Sequence, residues 1–445
     1  MKRYETYKDS GIQWVGEIPS HWDVVKTSYL FDDIGSGTTP NTNDDSLYDT
    51  DNGINWLQTG DLNDGHITKT SKKISQKAIE GNGTLRLYPI NSLVIALYGA
   101  TIGKVGVLDI ESTTNQACCV LPPSDKISTD FAYYIFLASK EALLNLASGG
   151  GQPNISQAII KNHRIPYPSY AEQQSIVSFL EDKVGQIDAT IAEKEQMLKE
   201  LKAYRSAIIS EAVTKGLDKN VEMKNSGIEW MGEIPSHWDI VKTSYLFDDI
   251  GSGTTPNTND DSLYDADNGI NWLQTGDLND GHITKTSKKI SQKAIEGNST
   301  LRLYPVNSLV IALYGATIGK VGVLDIETTT NQACCVLPPS DKVLTDYAYY
   351  VFIASKKALL NLAFGGGQPN ISQAIIKNHR IPYPSYVEQQ AITTYLDNKV
   401  EQIDKTLLEL ESQIHELKSY KSALITEAVT GKIDLREWKP QKESV

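Results

Sequence analysis

Residues 97–106 read LYGATIGKVG, and residues 313–322 repeat all ten letters. The offset is constant along the chain: Gly11 returns as Gly227, Trp14 as Trp230 and Tyr98 as Tyr314, each 216 positions later. Six of the seven tryptophans and six of the seven histidines pair this way, Trp438 and His415 being the exceptions. Such a period is far too long for a solenoid repeat. The sequence is a tandem duplication of a whole domain unit, and its 445 residues leave each copy enough chain for its own core.

Each copy has two parts of different character. The first part, 12–168 and 228–384, is rich in Gly, Thr, Asn and Tyr. Short strand-like runs such as NSLVIALYG and KVGVLDI alternate there with turn signals. DFAYYIFLASKEALLNLA (130–147) carries helical apolar spacing instead, so the mixture predicts an α+β domain. Pro166 and Pro168, repeated as Pro382 and Pro384, are expected to break the chain after it.

The second part runs from about Glu172 to Val213 and from Glu388 to Val429; it lacks Pro, and Gly185 is its only Gly. Apolar residues recur at spacings of four and three: Leu180, Val184, Ile187, Ile191, then Leu198, Leu201 and Ile208. The second copy gives Leu396, Val400, Ile403, Leu407, Leu410, Ile414, Leu417 and Leu424. A period near 3.5 is a coiled-coil seam, and ~42 residues at ~1.5 Å each make a helix roughly 60 Å long. One such helix cannot cover its own stripe, so the expected partner is the other copy. The predicted boundaries are 1–170 and 216–386 for the α+β domains, 171–215 and 387–431 for the helices, and 432–445 for a tail.

The copies have diverged unevenly. Between 10–170 and 226–386 they differ at 14 of 161 positions, whereas between 171–214 and 387–430 they differ at 20 of 44. Helices that pack on each other need complementary faces, which permits changes such as Lys194 to Leu410 and Met197 to Gln413. Two nearly identical globular parts suggest one task done twice.

LYGATIGKVG itself is not a nucleotide loop. Only three residues separate Gly99 from Gly103, and Lys104 is followed by Val105, which cannot hold Mg²⁺. Cys118-Cys119 and Cys334-Cys335 have neither disulfide nor zinc spacing and read as small buried side chains in a reducing compartment. His66 and His163 stand alone and are assigned structural roles. No apolar run approaches the ~18–20 residues of a membrane span, and the start MKRYETYKDSGIQW lacks a signal-peptide core. The expected location is cytoplasmic, with no membrane partner.

Two like domains suit a ligand with two like sites, and duplex DNA is the commonest. The net charge of −13 means that any such binding must rest on local charge. Lys69, Lys72, Lys73 and Lys77 lie in a stretch with no acid between Asp64 and Glu80, repeated as Lys285, Lys288, Lys289 and Lys293; such a run can contact phosphates. GSGTTP offers Ser36, Thr38 and Thr39, repeated as Ser252, Thr254 and Thr255. GGGQPNISQ offers Gln152 and Asn154, repeated as Gln368 and Asn370, amides able to pair with adenine edges. The opening stretch adds Tyr98, Thr101 and Lys104, repeated as Tyr314, Thr317 and Lys320. Each loop also reads as plain turn chemistry.

Taken together, LYGATIGKVGVL, TNQACCVL and GGGQPNISQAIIKNHRIPYPSYAEQQSIVSFLEDKVGQID, with EAVTKGLD and EAVTGKIDLREW, resemble the specificity subunits of type I restriction–modification systems. The resemblance covers essentially the whole chain in both halves. It implies two target-recognition domains, each reading half of a split double-stranded DNA site, and two antiparallel helices, related by pseudo-two-fold symmetry, that set the spacing. It also implies two methyltransferase subunits docked on the chain, with restriction subunits able to join. This chain would then perform no chemistry and bind no cofactor, while S-adenosylmethionine, ATP and Mg²⁺ belong to the partners. In that family the two recognition domains usually differ. Here they nearly match, so an interrupted palindrome is the expected site. A stand-alone bivalent DNA-binding regulator of the same build is the alternative; a two-site enzyme would need a catalytic constellation, and the sequence offers none.

Overall fold

A computed structural model describes residues 2–49, 51–147, 154–363 and 370–439. The chain forms two compact units, Met1–Glu195 with Ser412–Val445, and Gln196–Glu411. Each unit therefore combines one α+β domain with half of each long helix. The long helices span Tyr170–Lys215 and Tyr386–Val429.

The centre of the first unit is a four-stranded sheet in the order Cys118–Leu121, Leu93–Ala96, Val105–Leu108, Gly65–Ile67. The first three strands run antiparallel and the last joins in parallel. A three-stranded sheet places Ile54–Leu57 between Lys72–Ile74 and Thr113–Thr114. The second unit repeats both sheets. Sheet residues alternate between two covered faces, most clearly in the second unit. Val310, Ala312, Cys334 and Val336 enter one apolar cluster, while Leu309, Ile311, Cys335 and Leu337 enter another. Adjacent cysteines thus point to opposite faces, and a strand covered on both sides reads as an unbroken apolar run. All four cysteines are free and buried, and burial pushes the Cys119 and Cys335 thiols up to about 12.

The larger cluster of the second unit carries the sheet onto helix Thr345–Asn361 and onto both long-helix halves through Ile208, Ile209, Leu396, Val400, Ile403 and Leu407. Burying each such side chain contributes about 1.5–3 kcal/mol. The corresponding stretch of the first unit is two helices, Thr129–Ala138 and Lys140–Asn145, with a break at Ser139.

The predicted seam residues Leu180, Val184, Ile187, Ile191, Leu396, Val400, Ile403, Leu407, Leu410 and Ile414 are buried. Leu198, Leu201 and Leu417 are half-buried. Polar pairs flank the seam and run antiparallel within each unit. In the first, Lys418 meets Glu195 at 2.9 Å, Lys421 meets Asp188 at 2.7 Å, and Lys194 donates to Gln413 at 2.8 Å. In the second, Lys202 meets Glu411 at 3.1 Å and the Arg205 guanidinium grips both Asp404 oxygens at 2.7 and 3.0 Å. The Glu195 and Asp188 pairs of one unit are the Glu411 and Asp404 pairs of the other at the repeat offset, with Lys421 in place of Arg205.

Each long helix opens on a capping box. Ser169 and Glu172 exchange hydrogen bonds at the first helix, Ser385 and Glu388 at the second. The same glutamates also meet His21 and Trp22 at 2.8 and 3.2 Å, or His237 and Trp238 at 2.8 and 3.0 Å. Burial opposes the charge on Glu388, yet bonds from Ser385, His237 and Trp238 outweigh it and hold the carboxyl down at about 2. The expected break at RIPYPSY falls at Pro168 and Ser169, between strand and helix, and is corrected at Pro166. Arg164–Tyr167 is a strand paired with Asp23–Lys26, with Pro166 opposite Val24 in a two-stranded ladder where a missing N–H is tolerated. Among the described residues, no helix is long and apolar enough to cross a membrane.

Candidate nucleic-acid interface

The repeated LYGATIGKVG carries the chain from strand Leu93–Ala96 through a turn into strand Val105–Leu108. Gly99 and Gly103 take φ of 83° and 74°, a region that L side chains rarely adopt. Ile102 N–H donates to Gly99 O at 3.2 Å, Lys104 N–H to Thr101 O at 2.9 Å and Gly103 N–H to Ala96 O at 2.9 Å. The backbone spends its amides on itself, which explains the glycine spacing without a phosphate. Tyr98 and Lys104 are half-buried, and the Thr101 and Thr317 hydroxyls are buried with no partner among the described residues.

Three of the candidate loops come together around this turn. Tyr98 forms a single antiparallel bridge with Asn154, and Ile155 N–H donates to Leu97 O at 2.8 Å. Gln157 reaches Ser36 at 3.5 Å. Gly37 N–H donates to the Thr114 hydroxyl at 3.0 Å, and Thr39 donates to Gln116 Oε1 at 2.8 Å. Thr38 contributes its carbonyl, which accepts from the Trp56 indole at 3.2 Å. The second unit repeats the Tyr314–Asn370 bridge, the Thr255–Gln332 bond at 2.8 Å and the Trp272–Thr254 bond at 3.2 Å; there Gln373 donates to Ile250 O rather than to Ser252. Gln152 and Gln368 lie outside the described residues.

The lysine run joins through Trp56, which sits opposite Lys72 in the ladder. Its four members are not equivalent. Lys73 donates to Asp51 O at 3.0 Å, and Lys77 donates to Ser46 at 2.6 Å while standing 3.8 Å from Asp44. Lys289 and Lys293 repeat this against Asp267, Ser262 and Asp260. The acidic stretch at 41–51 thus braces half of the run. Lys69, Lys72, Lys285 and Lys288 are exposed, with no side-chain partner among the described residues. The acidic pair at 32–33 is also held within its own domain, Asp33 by Arg86 and Asp32 by Lys126.

His163 lies among rings rather than polar groups, stacked on Trp14 at 6.1 Å and tilted against Phe136 at 5.7 Å. Burial lowers its pKa to about 4. His66 bonds Asp109 at 2.9 Å. Gln116 and Gln332 were not singled out in the sequence. Their signal was TNQACCVL, where the polar TNQ precedes the buried strand and ends beside the Thr39 loop. Among the described residues, no cluster of three or more His, Cys, Asp or Glu side chains could hold a metal ion. What converges is a set of amides, hydroxyls, aromatic edges and free ammonium groups, the chemistry of recognition.

The model of the type I restriction modification DNA specificity domain matches residues 19–203 and again 235–416. The chain belongs to that family. The specificity subunit of the type I restriction enzyme MjaVIII from Methanocaldococcus jannaschii is 24% identical over 429 residues, covering 94% of each chain. The EcoBI specificity subunit of Escherichia coli is 21% identical over 375 residues, covering 80% of this chain and 76% of that one. Among solved structures, a chain from a study of complex assembly and conformational transition of the type I R-M system aligns with a TM-score of 0.72 at 16% identity, covering 94% of this chain and 99% of its own. The HsdS subunit from Thermoanaerobacter tengcongensis aligns at 0.51 and 17%, covering 94% and 98%. At those identities the structures speak for the fold. This chain is a specificity subunit whose two family domains are near copies of each other.

Proposed function

We propose that this specificity subunit binds a bipartite duplex DNA site and directs adenine-N6 methylation by two methyltransferase subunits, with restriction subunits able to join for cleavage. In this reading 1–170 and 216–386 are the target-recognition domains, and the helices at 171–215 and 387–431 set the distance between half-sites. The chain is the non-catalytic reader, and S-adenosylmethionine, ATP and Mg²⁺ are handled by its partners. Recognition falls to Ser36, Thr39, Tyr98, Gln116 and Asn154 and their repeats, with Gln152 and Gln368 in the neighbouring loops. Lys69, Lys72, Lys285 and Lys288 supply phosphate contacts.

One observation carries the finer claim: residues 10–170 and 226–386 differ at only 14 of 161 positions. Like surfaces read like bases, so the site is one short half-site inverted across unread base pairs. Selection from a randomised duplex pool by the assembled methyltransferase, followed by sequencing, tests this. An interrupted inverted repeat is the expected consensus; two unrelated half-sites would overturn the symmetry.

A further inference from the structure

The two units close their helix ends differently. In the first, the chain leaves the second long helix through Gly431 and folds back over the domain. Ile433 and Leu435 are buried, and Asp434 N–H donates to Lys2 O at 2.9 Å. Arg436, paired with Asp434 at 2.7 Å, lies 4.9 Å over the Tyr4 ring. Trp438 then stands edge-on to Phe179 at 5.5 Å, and Phe179 is 2% exposed.

At the repeat offset the second unit has Tyr395 for Phe179, Leu217 for Ile433 and Glu222 for Trp438. Here the chain continues as a linker into strand Met223–Asn225, and no tail doubles back. The place is a crevice of about 610 Å³ lined by Ile208, Glu211, Leu217, Met223, Glu233 and Tyr395. Leu217 is 42% and Tyr395 37% exposed.

We infer that this crevice docks a segment of a partner protein that presents a tryptophan beside an arginine, one segment per chain. The chain's own tail is the template, since LREW fills the equivalent place in the first unit. An indole edge-on to Tyr395 would reproduce the Trp438–Phe179 contact, and aromatic pairs of that kind favour such geometry. Arg436 takes its carboxylate from Asp434 of the same tail, and Glu211 and Glu233, which line the crevice, offer an incoming arginine further carboxylates. Tyrosine in place of phenylalanine suits a surface that is wet when free and covered when bound. Because the first unit fills its own place, the chain offers this site once although its recognition domains are doubled. The inference goes beyond the DNA-reading role and does not depend on it.

The test uses the full-length chain and a fluorescein-labelled peptide of residues 433–439, IDLREWK, followed by fluorescence anisotropy. Saturable binding of one peptide per chain is expected. Replacing the peptide's tryptophan by alanine should weaken it about tenfold or more, the loss typical of an anchoring aromatic. Leu217→Glu and Tyr395→Ala in the chain should do the same, and the exposed Leu217 makes the first a variant that folds normally. Absence of binding at millimolar peptide overturns the inference. So does binding that survives both variants but is lost in Phe179→Ala, which would mean exchange with the chain's own tail. A concentration-dependent dimer abolished by removing residues 436–439 would give the crevice to a second copy and also overturn it.

Discussion

Acid should destabilise this protein through two buried rings. His163 and His379 are each about 94% buried, stacked on Trp14 and Trp230, and carry an Nε2 with no partner among the described residues. Burial lowers both pKa values from the ordinary 6.5 to about 4. The folded protein therefore keeps the rings neutral below pH 6.5, where the unfolded chain protonates them. Stability from this source is fully present above pH 6.5 and is lost as the pH falls from 6.5 towards 4. The gap between folded and unfolded pKa is worth about 2–3 kcal/mol per histidine by pH 4.5. Glu172 and Glu388 act in the same direction, since both carboxyls are lowered in the fold, but their loss begins only near pH 4.5 and below. Urea midpoints measured from pH 7.5 to 4.5 separate the two sources. His163→Phe with His379→Phe keeps a stacked ring and removes the titration, so the slope between pH 6.5 and 4.5 should flatten. An unchanged slope in that double variant rules out the buried histidines as the source of the acid sensitivity.

Three further outcomes follow from the geometry. Lys69→Gln and Lys72→Gln, with Lys285→Gln and Lys288→Gln, should make the salt dependence of DNA binding shallower by about 0.9 in log–log slope per lysine; titrations of the assembled complex at several salt concentrations check this. Arg205→Ala breaks the two-bond grip on Asp404 and should cost about 1 kcal/mol, since both groups are partly exposed. A thermal melt compared with Lys421→Ala would show the larger effect for the arginine. Glu172→Gln with Glu388→Gln weakens the capping boxes and the His–Trp ties and should cost about 1–2 kcal/mol per site, visible as a lower urea midpoint near pH 7.

The duplication and the helix seam were legible because both are periodic, and periodicity survives without knowledge of contacts. Leu180 to Ile191 and Leu396 to Ile414 are buried as the four-and-three spacing requires. What the sequence hid were contacts made across long stretches of chain. Both prolines of RIPYPSY read as a break because proline argues against a strand; Pro168 does end the strand, and Pro166 is tolerated in it because its ladder has only one partner strand. The lysine run looked uniformly free, yet its bracing acids lie some 20 to 30 residues earlier, and only the fold brings Asp51 to Lys73 and Asp44 to Lys77. Trp22 and Trp238 gave no hint that they donate to the helix-capping glutamates 150 positions on. The convergence of the Thr39, Tyr98 and Asn154 loops was equally hidden, since turn residues have the same composition wherever they face.

The two nearly identical domains are proposed to read one half-site twice. This is tested most directly by mapping N6-methyladenine in DNA from cells that express this chain with its cognate methyltransferase. An interrupted palindrome methylated on both strands is expected, with a spacer that shortens when a turn is deleted from both long helices. A split motif with two different halves would contradict it, and would place the reading in the 14 positions at which residues 10–170 and 226–386 differ.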